Sequence, residues 1–354
     1  MSVLLFAGVW LTLFLCVPYT MRSWEANGLF LNTPDYFQDV REGAHPMLQL
    51  CVDYISQFFY YETVGAAILA LLPTLLFVVL GLIFRNHLLR ILLATAIVCG
   101  VVIYVLRPTV REKESMAHLE FAAEAHRWND VLKIVTPKVA REKRNLMPYA
   151  LLALAINNEL TERMYDYPVQ GIEDFDTQGQ PCHEYYFFKM VLYDCMGCPN
   201  EAIHNNFQAA AGTRYGTNFG TLRRLVRLNQ DAGNPVLADK YKEILSHSTM
   251  HRNWHSKGEA LPDTLCPNVS GQIPVITKSF GYNLAMFIDR GIRSPQMCNY
   301  FLCALLASNE LDAFVKALER MSPILPQPLP PLYQEALQRY AEAHPEANGT
   351  PSTL

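Results

Sequence analysis

Charge is scarce in the first third of this 354-residue chain. Of its 62 charged side chains, ten lie in residues 1–106 and 52 in the rest, about one in ten against one in five. A water-soluble enzyme does not leave so long a stretch nearly uncharged, so two solvents are implied. The mean hydropathy of +0.07 averages over both. Excess positive charge is also missing: 29 basic and 33 acidic residues give a net charge of −4, which provides no electrostatic footprint for nucleic acid. Nine cysteines are too few for a disulfide-built scaffold of this length, and Cys16 and Cys99 sit inside apolar runs. No Gly-rich loop opens a helix, and no nucleophile elbow is present. After residue 106 no alternating β-branched run bounded by turns occurs, which excludes a sheet-based domain.

What is present begins with three charge-free apolar stretches, at residues 1–21, 63–84 and 91–106. A span needs about 20 apolar residues, so we expect transmembrane helices at about 2–21, 63–84 and 88–106, the first an uncleaved anchor. Only Arg85, Asn86 and His87 separate the last two, which predicts a tight antiparallel hairpin packed through Ala66 with Ala70 and Ala96 with Gly100. Pro73 is expected to kink the middle span. Basic residues Arg85 and Arg90 with His87 favour a cytoplasmic hairpin and a C-terminal region on the outer side of a bacterial inner membrane.

The loop between the first two spans carries six acidic residues and many aromatics. From Pro46 to Tyr61, Leu48, Cys51, Val52, Ile55, Phe58 and Phe59 share one helical face, with Gln49, Asp53, Ser56 and Gln57 opposite. This predicts a helix at about 46–61 lying in the membrane interface with a solvated polar side. Asp35 and Asp53 are the first-loop carboxylates that a glycosyltransferase-like reading would put near chemistry. Three spans form no enclosed cavity for such chemistry, so that reading needs a polytopic membrane partner.

From residue 113 short amphipathic helices come in pairs. Pairs begin near Ser115, Leu146, His183 and Thr217, spacings of 31, 37 and 34 residues, near the roughly 34-residue period of tetratricopeptide repeats. Helix starts recur at Trp128-Asn129-Asp130, Pro199-Asn200-Glu201-Ala202, Asn234-Pro235-Val236-Leu237-Ala238 and Asn309-Glu310-Leu311-Asp312-Ala313. The expected fold class is all-α: three transmembrane helices followed by a degenerate tetratricopeptide-like α-solenoid. The boundaries run 1–112 for the anchor, 113–258 for repeats, 259–276 for a loop insertion, 277–343 for further hairpins and 344–354 for a disordered tail.

Several patterns bear on chemistry. His247, His251 and His255 recur every four residues, and Cys195-Met196-Gly197-Cys198 has knuckle-like spacing. The former lacks a catalytic glutamate in a metalloprotease arrangement and the latter lacks a second pair, so neither is assigned a metal, and no cofactor or catalytic residue is expected. Arg214, Arg223, Arg224 and Arg227 form the densest basic cluster of the repeat region and are the candidate grip for a partner protein.

Glu25 and Phe30-Leu31 with Asp35-Tyr36-Phe37, then Asp53 through Tyr61 running into Gly65-Ala66-Ala67-Ile68-Leu69-Ala70, resemble the start of an uncharacterised family of bacterial multi-pass membrane proteins. Leu222 with Asp231-Ala232-Gly233, Ala238-Asp239-Lys240-Tyr241, Arg252 with Trp254, Asn299-Tyr300-Phe301-Leu302 and Leu329 through Leu337 resemble its C-terminal tetratricopeptide-like region. Members of that family usually carry more spans between those ends, so this chain looks like a short form. The resemblance implies architecture and a membrane location, and no activity. The expected function is a membrane-anchored scaffold or adaptor that binds a protein through its repeats. The alternative is a non-catalytic subunit of a membrane glycan- or lipid-processing enzyme.

Overall fold

The computed structural model describes residues 1–83, 86–177, 182–254, 282, 285–286 and 294–345. The predicted 259–276 insertion, most of the start of the 277–343 hairpins, nearly all of the 344–354 tail, Arg85 and His255 lie outside them. The described residues are helical and contain no strand. They divide into two compact units: the first takes those of Met1–Phe121, Ala210–Gln230 and Asn234–Leu261, the second those of Ala122–Ala209, Asp231–Gly233 and Pro262–Leu354. The first unit runs past residue 112 to Phe121 and is built from three stretches of chain. Segments placed among the repeats fold with the N-terminal region instead.

The first unit opens with α1 (Ser2–Cys16) and α2 (Pro18–Asn27), which meet at a 77° bend. Pro18 causes the break. It has no N–H to donate and disfavours helical backbone at the residue before it, and Val17 accordingly leaves the helix at φ −139°. The span expected over 2–21 is thus a 15-residue apolar helix followed by a polar one that turns away. The amides of Tyr19 and Thr20 at the new N-terminus donate to the Glu114 carboxylate of α7 (Pro108–Glu124) at 3.0 and 2.7 Å. A carboxylate there satisfies orphan donors and complements the helix dipole.

Two helices are long and apolar enough to cross a bilayer, α5 (Glu62–Ile83) and α6 (His87–Val105), with a third crossing if the bent α1–α2 pair is one span. Packing among them differs from the expected hairpin. Ala66 and Ala70 are fully buried, but against Leu5, Val9 and Leu13 of α1, which packs along α5 and also touches α6. Ala96 and Gly100 of α6 are exposed, and a side chain at Gly100 would meet nothing within 4 Å. Small residues let backbones approach where a partner helix lies, and that partner is α1. Pro73 sits inside an uninterrupted α5. We expect Ala70→Leu to cost about 1–3 kcal/mol by overpacking, whereas Ala96→Leu should leave the melting temperature in detergent unchanged.

The remaining elements of this unit are α3 (Pro34–Arg41), α4 (Pro46–Ser56), a 3₁₀ turn at Gln57–Tyr60, α14 (Phe219–Asp231) and α15 (Pro235–Ser246). Leu29, Phe30, Tyr36 and Val40 form one core with Phe219, Leu222, Val226, Ala238 and Leu245. The acidic first loop thus folds around α14.

In the second unit α8 (Trp128–Ile134), α9 (Pro137–Glu142), α10 (Met147–Ile156), α11 (Leu160–Arg163), α12 (His183–Cys195), α13 (Pro199–Ala210), α16 (Pro295–Ala307), α17 (Leu311–Met321) and α18 (Pro331–Ala343) follow in order. All ten residues of α10 are buried. Its sequence is apolar on every side and far too short to cross a bilayer, so it forms a core helix packed by α8, α11 and α16.

One turn recurs at five helix joints. His126, Asn158, Gly197, Gly233 and Asn309 each adopt positive φ, between 52° and 74°, two residues before the next helix. In each the following amide donates to a carbonyl five residues back, as Arg127 to Ala122, Glu159 to Leu154, Cys198 to Tyr193, Asn234 to Asn229 and Glu310 to Leu305, at 2.8–3.0 Å. This closes the helix C-terminus in the Schellman manner, and Gly or Asn supplies the left-handed residue at four of the five. The Cys195–Cys198 spacing is one of these turns.

Candidate functional site

The densest polar chemistry in the first unit lies where the first loop meets α14. A backbone bond and one glycine mark the approach. Gly28 accepts the Phe219 amide at 3.0 Å, and a Cβ on Gly220 would stand 3.2–3.3 Å from the carbonyl and Cβ of Ala26. With α2 and α14 that close, Glu25 and Arg223 meet inside the protein. The guanidinium grips both carboxylate oxygens at 2.5 and 3.0 Å, and His251 Nε2 lies 2.8 Å from Oε1. Glu25 is 1% exposed and His251 1%, so this is a dry ion cluster. Tyr60 closes it, with Arg223 over its ring at 5.3 Å and the His251 ring edge-on at 5.0 Å. Burial alone would raise the Glu25 carboxyl, but the charge and hydrogen bonds of Arg223 and His251 hold it below its ordinary value.

A second network is built on Asp53. Its Oδ2 accepts from the hydroxyls of Tyr36 and Tyr215, both at 2.8 Å, and its Oδ1 accepts from Gln49 at 2.6 Å. The exposed Arg214 donates to Gln49 at 2.8 Å and lies over the Tyr215 ring. Burial and the adjacent carboxylate push the Tyr36 phenol far above its ordinary range and that of Tyr215 up to about 12. Both phenols therefore stay protonated donors at neutral pH. Nearby, the fully buried Gln57 accepts the amides of Thr249 and Met250 at 3.0 Å each. These contacts bind segments some 160–200 residues apart in sequence.

Most of the basic cluster is thus not a solvated grip. Arg223 and Arg224 are buried, Arg227 is half-buried and only Arg214 is exposed. The acidic loop folds over the cluster and takes Arg223 as an internal counter-charge. The carboxylates part company as well: Asp35 is exposed in the first turn of α3, a favourable place for an acid at a helix N-terminus, whereas Asp53 is buried with three donors. Glu25, Tyr36 and Tyr215 were not among the candidate site residues read from the sequence, and Gln57 figured there only on the polar face of the 46–61 helix. Six acids in one loop facing four arginines in a distant segment was the available signal.

His247 is exposed just after α15 ends at Ser246, while His251 lies buried beyond it, so these two do not share a helix face. In the second unit Cys195 Sγ is 3.8 Å from His126 Nε2, which also lies 3.4 Å from Asp194. Cysteine and carboxylate meet the same ring nitrogen, an arrangement that does not relay a proton from one to the other. Among the described residues no group of three or more His, Cys, Asp or Glu is placed to hold a metal ion.

The second unit also contains a half-open cavity of about 600 Å³ lined by Arg144, Asn145, Gln170, Asp174, Asp176 and Ser308 among others. Asp174 accepts from Arg144 at 2.5 Å and from the Gln170 amide at 2.7 Å, and Ser308 accepts the Ile172 amide at 2.8 Å. Burial raises the Asp176 carboxyl in spite of the Lys189 ammonium 3.0 Å away. The wall thus carries hydrogen-bonded groups of both signs of charge.

The profile of a family of unknown function, DUF6057, matches residues 1–110 and 91–353. This chain belongs to DUF6057. The match covers both units, and its two stretches overlap within the α6 to α7 region. No curated protein and no solved structure matches the chain.

Proposed function

We propose that this DUF6057 member is a membrane-anchored scaffold or adaptor that holds a partner protein through its helical region. The observation that supports it is the recurrence of one helix–turn–helix joint at His126, Asn158, Gly197, Gly233 and Asn309. Repeated pairs of this kind stack into tetratricopeptide-like α-solenoids, whose ordinary use is to hold a peptide or protein. That is a fold-level warrant. We read the stretch at about 2–21 as the third span, the membrane as the bacterial inner membrane, and the C-terminal region as periplasmic, on the basic residues at the α5–α6 joint. The cavity lined by Arg144, Asp174 and Ser308 is the proposed partner site in place of the arginine cluster. We assign no catalytic role to Asp53, because its oxygens already accept from Tyr36, Tyr215 and Gln49.

A photocrosslinking residue placed at Asn145 or Glu173 of the full-length protein in cells should yield one discrete adduct that the same residue at Ala96 does not. The adduct should weaken in an Arg144→Glu variant of normal abundance. Adducts equal at all three positions, or none at the cavity, would remove the adaptor reading. A reporter fused after Leu354 and active only outside the cytoplasm tests the orientation separately.

A further inference from the structure

α4 is built the wrong way round for water. Met47, Leu48, Cys51, Val52 and Ile55 share one face, and the four apolar side chains among them are 42–74% exposed. The opposite face holds Asp53 and Ser56, which are buried, and Gln57 follows directly. A soluble amphipathic helix buries its apolar side, so the reversal asks what covers the other one. Two features of the chain supply the answer. α4 is joined to the apolar α5 by only the Gln57–Tyr60 turn and Tyr61, which keeps it at the end of that helix, where exposed Tyr61 and Trp24 add the aromatic side chains favoured at a membrane surface. It also carries no Lys or Arg, and its single charge is the buried Asp53.

We infer that α4 lies in the plane of the bilayer, its Met47–Ile55 face seated in the headgroup–acyl boundary and its polar face turned to the protein. The inference rests on α5 and α6 crossing the bilayer. The expected interfacial helix is kept, but its polar side is a clamp and not a solvated surface: through Asp53, Gln49 and Gln57 it holds Tyr215, Arg214 and the Thr249–Met250 turn. Lipid contact and the 214–250 segment are thereby one mechanical piece. With no basic residue on α4, the seating is driven by apolar area and is indifferent to anionic lipid.

Cys51 lies on the proposed lipid face and Cys99 is exposed midway along α6, so both report without new cysteines. The test uses the full-length protein in nanodiscs, with Cys16, Cys182, Cys266 and one of the two reporters changed to serine and a bimane fluorophore on the other. Lipids carrying a spin label near the headgroup should quench the Cys51 probe about twofold more than lipids labelled near the chain end. The order should reverse at Cys99. Iodide in the buffer should quench neither, and phosphatidylglycerol should change nothing. A Cys51 probe reached by iodide and not by lipid, with Cys99 still quenched by lipid, overturns the inference and leaves the spans standing. A Cys51 probe shielded from both quenchers overturns it in favour of a second copy or another protein on that face. Loss of lipid quenching at Cys99 as well removes the spanning helices, and the inference with them.

Discussion

Arg223→Ala should cost the first unit about 3–5 kcal/mol, the largest effect of any single substitution considered for this protein. The magnitude follows from leaving the Glu25 carboxylate buried without its bidentate partner, which is far worse than never having had a charge there. Thermal unfolding in mild detergent, followed by loss of the monodisperse peak, reads it directly. Glu25→Leu with Arg223→Met should recover most of the loss, because a buried ion pair replaced by apolar groups of similar volume is often neutral. A double variant as unstable as Arg223→Ala would show that the pair is not the source. The pH dependence distinguishes the two further. In the native protein Glu25 is held below its ordinary value of 4.5, so its contribution is complete above that value and is lost as pH falls through the lower folded value. In Arg223→Ala burial is opposed by His251 alone, so the Glu25 carboxyl should rise and acidification should stabilise that variant by protonating it. Opposite slopes of stability against pH in the acid range are the expected result.

Asp53→Ala is the second large effect, about 2–4 kcal/mol, since it orphans the Tyr36 and Tyr215 hydroxyls and the Gln49 amide together. Tyr36→Phe, which removes one hydrogen bond and leaves the carboxylate two donors, should cost about 1 kcal/mol. Combining the two should cost less than their sum, because the phenylalanine no longer has a hydroxyl to satisfy. Additive losses would show that Tyr36 and Asp53 do not act as one unit. Such a network also separates stability from chemistry. If Asp53 worked in catalysis by a partner enzyme, Asp53→Asn would abolish activity at unchanged abundance, whereas the geometry leads us to expect abundance itself to fall.

Local patterns in the chain carried most of the secondary structure. The helix starts at Trp128, Pro199, Pro235 and near Asn309 are where the turn residues put them, and α5 and α6 match the expected spans 63–84 and 88–106 to within a residue or two. The bend within 2–21 is local chemistry too: Pro18 ends a helix that hydropathy alone continues. Pairings were not legible. Ala66 and Ala70 share a buried core with Leu5, Val9 and Leu13 of α1, and Arg223 and Arg224 of α14 are buried, because both outcomes depend on which distant segment arrives. The amphipathic pattern of α4 was plain in the sequence, yet it says only that two faces differ, not which of them the protein covers.

The division is physical. Helix formation, termination and apolar length are properties of a few consecutive residues, so the chain by itself determined that this protein is all-α and has helices able to cross a membrane. The partner of a buried charge is settled by chain segments that approach from far away, and only tertiary structure decided that Glu25 meets Arg223 and His251, that Asp53 is spent on two tyrosines, and that α4 turns its apolar face outward.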